Sequence, residues 1–79
     1  MDYDRDKVDD AVLALMALNF HSDRYETRAW KSFDWDAMDR LHTKGYISDP
    51  KSKAKSVVLS EEGERLSQEL FERHFARKG

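Results

Sequence analysis

The residues of this chain whose types could do chemistry are its three histidines, two short acidic groupings and one cluster of lysines. His21, His42 and His74 could ligate a metal only if the fold gathered them within about 4 Å of one point, and their spacing does not demand it. Asp2, Asp4 and Asp6 imitate the opening of a calcium loop. Lys7 stands where that loop needs glycine, however, and Leu13 where it needs a bidentate glutamate. Asp34 and Asp36 flank Trp35 at the start of an expected helix, where carboxylates are favoured by the free backbone N–H groups alone. Asp39 and His42, three apart, read as a surface pair. No serine has a nucleophile-elbow context, and the three glycines are too scattered to cradle a phosphate. Cysteine is absent, which excludes a thiol nucleophile, a zinc ribbon and a disulfide scaffold. The expectation is a protein with no catalytic site, no metal and no cofactor.

The lysines are the one electrostatic signal. Lys44, Lys51, Lys53 and Lys55 together with Asp49 place a local charge of +3 on a chain whose net charge is −2. Such a cluster suits a phosphate backbone, and a solvated loop tip kept soluble by lysine accounts for the same residues. With Arg40 added, the expected nucleic-acid contacts are Arg40, Lys44, Lys51, Lys53 and Lys55. Between Asp34 and Lys44, three aspartates face only two fixed cations, and Arg40 alone could grip a guanine edge. Any binding is therefore expected to be sequence-independent, with a Kd of roughly 10⁻⁴–10⁻⁶ M. Trp30, Phe33, Trp35 and Tyr46 could stack bases, but a small domain without disulfides needs their area, about 150–250 Å² each, in its core.

The elements that must position these residues can be read from apolar spacing. Asp4 or Asp6 caps a first helix on which Val8, Ala11, Val12 and Leu15 recur at helical intervals, with Leu13, Met16 and Phe20 on other faces. From His21 to Lys31 the periodicity fails and a loop is expected, with Arg28 to Trp30 as a short extended piece. Phe33, Asp34 and Met38 then supply the staple and cap of a second helix, with Trp35, Met38, Leu41 and His42 on one face and Gly45 as its stop. Tyr46 to Ser48 and Ser56 to Leu59 make a hairpin around the lysine tip, turned by Asp49-Pro50. Ser60 caps a last helix, with Leu66, Leu70, Phe71 and Phe75 on its apolar side and Arg73, Arg77 and Lys78 suiting its negative end.

The order helix, loop, helix, two-stranded wing, helix predicts a mainly α, winged-helix-like fold. At 79 residues, positions 1–79 form one domain. The longest apolar stretch, Ala11 to Leu18, falls far short of the roughly 20 residues that cross a bilayer. The opening is acidic where a secretory signal is basic, so a cytoplasmic protein is expected, with no membrane contact.

The run Leu41, Lys44-Gly45-Tyr46-Ile47, the basic tip, then Val57-Val58-Leu59-Ser60-Glu61-Glu62-Gly63 resembles the wing region of MarR-like and PadR-like bacterial regulators. Only one helix fits between Leu18 and Gly45, where a helix-turn-helix needs two. Along nearly its whole length the chain resembles a bacterial family of very small proteins classed as a domain of unknown function. The residues carrying that likeness include Asp6-Lys7-Val8-Asp9, Arg28-Ala29-Trp30-Lys31, Phe33-Asp34-Trp35-Asp36 and Gly45-Tyr46-Ile47-Ser48-Asp49-Pro50. That resemblance implies a fold and a bacterial source, and no particular activity. The apolar surface of the first and last helices exceeds what one small core covers, so a homodimer or protein-docking module is expected, through Leu13, Met16, Phe20, Leu70, Phe71 and Phe75. A DNA-binding regulator using the wing is the alternative.

Overall fold

A computed structural model describes residues 1–23 and 25–77; Arg24, Lys78 and Gly79 lie outside the described residues, and with them the expected role of Lys78 at the last helix end. Helix α1 spans Arg5–Met16, and the Asp4 carboxylate accepts from the N–H groups of Asp6 (3.0 Å) and Lys7 (3.2 Å). A 3-10 turn at Ala17–Asn19 follows, then strands β1, His21–Asp23, and β2, Glu26–Trp30. Helix α2 covers Trp35–Thr43, capped by Asp34, whose carboxylate accepts from the Ala37 N–H. Gly45 ends that turn with φ at +84°, a backbone state that costs glycine nothing. Strand β3, Ser56–Leu59, leads into α3, Glu61–Phe75, which the Ser60 hydroxyl caps by accepting from Gly63 N–H at 3.0 Å.

The described residues form an α+β arrangement of three α-helices and a three-stranded antiparallel sheet in the order β1-β2-β3. The segment expected as a loop supplies two of those strands, and the expected extended piece Arg28 to Trp30 is the second half of β2. Ala29 pairs with Val57 and Thr27 with Leu59, and these face the helices; Trp30 pairs with Ser56 and Arg28 with Val58, and these face outward. The period-2 alternation is present from Thr27 to Trp30, but a threonine and an alanine carry its inner face, so hydropathy hides it. The expected hairpin of Tyr46 to Ser48 with Ser56 to Leu59 reduces to one bridge, Ile47 with Leu59, because β3 gives its main pairing to β2.

The core is aliphatic. Leu13, Met16, Met38, Leu41 and Val57 are its largest fully buried apolar side chains, and no aromatic ring is among the buried residues. Phe33 and Tyr46 pack against it half-buried, whereas Trp30 and Trp35 stay 47% and 58% exposed. The expectation that all four aromatics are core is corrected for the two tryptophans: α1 and α3 lie antiparallel and fill the centre with aliphatic side chains. Ser67, fully buried, donates its hydroxyl to the Leu13 carbonyl across that seam. Gly63 lies so close to the Tyr46 backbone that a Cβ there would fall 2.1 Å from the Tyr46 carbonyl oxygen.

Candidate binding surface

Asp9 shares an α1 stripe with Val12, Leu13 and Met16, at i, i+3, i+4 and i+7, and is buried with them. A carboxylate in such a place needs partners, and α2 with its C-cap residue provides two, one turn apart. Arg40 Nε donates to both Asp9 oxygens at 2.9 Å, and Arg40 Nη2 lies 2.8 Å from Oδ1. Lys44 Nζ donates to Asp9 Oδ2 at 2.9 Å and to Asp6 Oδ1 at 3.0 Å. Burial pushes the Asp9 carboxyl up, but hydrogen bonds from Arg40 and Lys44 and their positive charge outweigh it and hold the group below its usual range. The hydrogen bond from Arg40 to Asp9 raises the guanidinium pKa; desolvation lowers that of Lys44, and Asp9 and Asp6 more than reverse it. Of the five expected nucleic-acid contacts, Arg40 and Lys44 are thus occupied within the fold. The signal for this cluster was an acid standing inside an apolar stripe, with two cations four apart on the next helix.

Lys51, Lys53 and Lys55 are exposed at the tip, and among the described residues no carboxylate comes within ion-pair distance of them. Asp49, their nearest acid in sequence, accepts from the Lys51 backbone N–H at 2.9 Å. The tip hangs on the end of β2. Lys31 N–H donates to the Lys55 carbonyl at 3.2 Å, and Lys31 Nζ donates to the Ser52 carbonyl at 2.7 Å. Immediately before Lys31 stands Trp30, on the outward face of the sheet, its ring stacked on His21 with centroids 4.4 Å apart. Arg28, on the same face, donates Nε to Ser56 Oγ at 2.7 Å and pairs with Glu26 at 3.0 Å. The structure therefore joins an exposed indole to a basic tip that lies more than twenty residues away in sequence.

The residues expected at a dimer interface divide. Leu13, Met16 and Leu70 are covered by the chain's own α1, α2 and α3, so they offer no face to a second copy; the apolar half of α1 finds its neighbours within the monomer. Phe20 and Phe71 are half-buried, and Phe75 is exposed beside Phe71, with ring centroids 5.3 Å apart. Lys7, Asp10, Ala11, Arg73, His74 and Phe75 line a groove of about 560 Å³ between the start of α1 and the end of α3, which no sequence pattern announced. The histidines serve separate places: His21 Nδ1 lies 3.1 Å from the Asn19 carbonyl, and His42 Nδ1 lies 3.0 Å from the Ile47 carbonyl. His42 thus turns to Ile47 rather than to Asp39. No helix among the described residues is long and apolar enough to cross a membrane.

Comparison with known proteins agrees with the whole-chain resemblance rather than the partial one. A bacterial relative from Sinorhizobium fredii, named "Uncharacterized protein y4hR", is 56% identical over 77 residues, covering 98% of this chain and 100% of the relative. No solved structure matches the chain. The model of the domain of unknown function DUF6429 matches residues 4–77, an interval that takes in all three helices, all three strands and the lysine tip, and the chain belongs to that family.

Proposed function

We propose that the protein is a non-catalytic binding module of winged-helix-like architecture, working through the outward face of its sheet and the lysine tip. The observation that carries this is Trp30: a large ring left 47% exposed and stacked on His21, at the root of lysines that have no acidic partner among the described residues. Exposed aromatic anchors beside cations are typical of recognition surfaces, where a rigid ring contributes much contact area at little entropic cost. Two further features support the winged-helix-like reading. Strand β3 lies between β2 and the Ile47 bridge, and it feeds directly into a helix that packs on α1. The β1–β2 hairpin occupies the sequence where a second helix would precede the recognition helix.

A regulator that reads duplex DNA through α2 is the weaker reading. Its two cations are bound to Asp9, and its first turn carries Asp36 next to the capping Asp34. A protein module that dimerises through α1 and α3 has lost Leu13, Met16 and Leu70 to the core, so the sheet face and tip carry the proposal. A photo-crosslinking residue placed at position 30 or 53, in cells that make the protein naturally, tests it. Discrete adducts are expected at both positions and none at Glu69, an exposed site on α3. Equal yields at all three positions would overturn the reading.

A further inference from the structure

We infer that this surface takes a single-stranded nucleic acid, one base lying on the Trp30 indole and the adjoining phosphates meeting Lys51, Lys53 and Lys55. The inference rests on the preceding assignment of the sheet face and tip as the working surface. A single strand offers what the surface asks for: unstacked planar rings joined by closely spaced negative charges. His21 lies against the Trp30 ring at an interplanar angle of 27°, and the exposure that remains leaves ring surface for another planar partner. The backbone on either side is fixed, because Trp30 N–H donates to Asn19 Oδ1 at 3.2 Å and Lys31 is tied to both Ser52 and Lys55. The strand that carries the ring and the tip that carries the cations are therefore tied together at Lys31.

Charge decides between this occupant and two others. A duplex hides its base faces, so it would use the lysines and leave the indole idle; its second strand would also meet no compensating cations on α2, where Arg40 and Lys44 are neutralised by Asp9 and Asp6. An acidic protein segment would use the lysines but gains nothing particular from a stacking ring. A single strand uses both, and stacking with phosphate contacts needs no sequence-reading side chain.

The test is anisotropy of a labelled 15-nucleotide single strand titrated with the full chain, alongside the duplex of the same sequence and polyglutamate as competitor. Three phosphate contacts lower log K by about 2 per decade of salt, so affinity falls about 20-fold between 50 and 200 mM salt. Trp30→Ala weakens single-strand binding about tenfold, Trp30→Phe less, and Tyr25→Ala not at all. Tyr25 is a fair control because it is 94% exposed in the turn before β2, at the end away from Trp30. The triple change Lys51→Ala, Lys53→Ala, Lys55→Ala flattens the salt dependence. In a Trp35→Phe background, the fluorescence of Trp30 is quenched on adding the oligonucleotide. Unchanged binding by Trp30→Ala, with unchanged circular dichroism, would overturn the inference, as would equal affinity for the duplex or for polyglutamate. Failure of the oligonucleotide titration together with protein adducts at position 30 would remove the nucleic acid and leave the binding module; absence of adducts would remove both.

Discussion

The two cationic regions of this molecule have the same residue types and opposite fates. On α2 and at its C-cap, Arg40 and Lys44 converge on Asp9, which has no solvent-exposed surface, and their charge is spent holding α1 against α2. At the tip, Lys51, Lys53 and Lys55 are exposed and meet no carboxylate among the described residues. Read along the chain, Lys44 and Lys51, seven positions apart, look like members of one basic cluster. In space they belong to different systems, one structural and one available. Formal charge in a sequence is therefore a poor measure of the charge that a partner encounters.

Several changes sharpen or break that contrast, and the largest effect is expected where the start of α3 packs on Tyr46. A Cβ at position 63 would fall 2.1 Å from the Tyr46 carbonyl oxygen, which belongs to backbone and cannot swing aside. Overpacking usually costs about 1–3 kcal/mol, and a backbone clash this severe places Gly63→Ala at or above the upper end, about 3 kcal/mol or more in urea denaturation. A loss below about 1 kcal/mol would mean that the α3 start is not pinned to Tyr46.

Asp9→Ala comes next. Removing one partner of a buried ion pair costs about 3–5 kcal/mol, and the lower end applies because Arg40 and Lys44 both keep some access to water. If the denaturation midpoint is unmoved, the cluster is ornamental and its cations are open to a partner after all. The same pair has a pH signature. The Asp9 carboxyl is depressed in the fold, so its contribution is fully present above the ordinary value of 3.8 and is lost as pH falls through the lower folded value. Asp9→Asn should remove the part of the acid-induced stability loss that belongs to this window. Acid unfolding curves that superimpose for the two proteins would contradict the assignment.

The smallest effects belong to the exposed groups. Trp35→Ala, at 58% exposure, should cost less than about 1 kcal/mol, while Phe33→Ala beside it costs more, because Phe33 packs on the core. Thermal melts of the two variants decide the order, and reversal would return Trp35 to the core. Replacing the three tip lysines by alanine should change stability by no more than about 0.5 kcal/mol. A larger loss would show that the tip charges are structural too, and the contrast would disappear.

Helix boundaries were legible because their causes are local. Asp4, Asp34 and Ser60 each accept a backbone N–H two or three residues ahead, and Gly45 takes its positive φ within the turn it closes. Asp9 was read only as an acid near the positive end of the first helix; its place on the stripe of Val12, Leu13 and Met16 carried the signal of a buried acid, and that signal went unused. The tryptophans were misread because an aromatic count carries no information on whether aliphatic side chains already fill the centre. The sheet was misread because its inner positions, Thr27 and Ala29, are not apolar enough to show alternation.

What the sequence by itself determined, then, is where helices start and stop, that the tip is basic, and which family resemblance spans the chain. A capping bond or a glycine turn depends on residues within one turn of each other, so neighbouring letters suffice. The tertiary structure alone decided which cations are spent and which aromatics remain in solvent. Arg40 and Lys44 reach an acid 31 and 35 residues away, and Trp30 reaches the tip through pairing with Ser56. Those pairings are chosen by the packing of α1 against α2 and of β2 against β3, in which burial of one aliphatic core fixes which polar groups are carried inside and must find partners there.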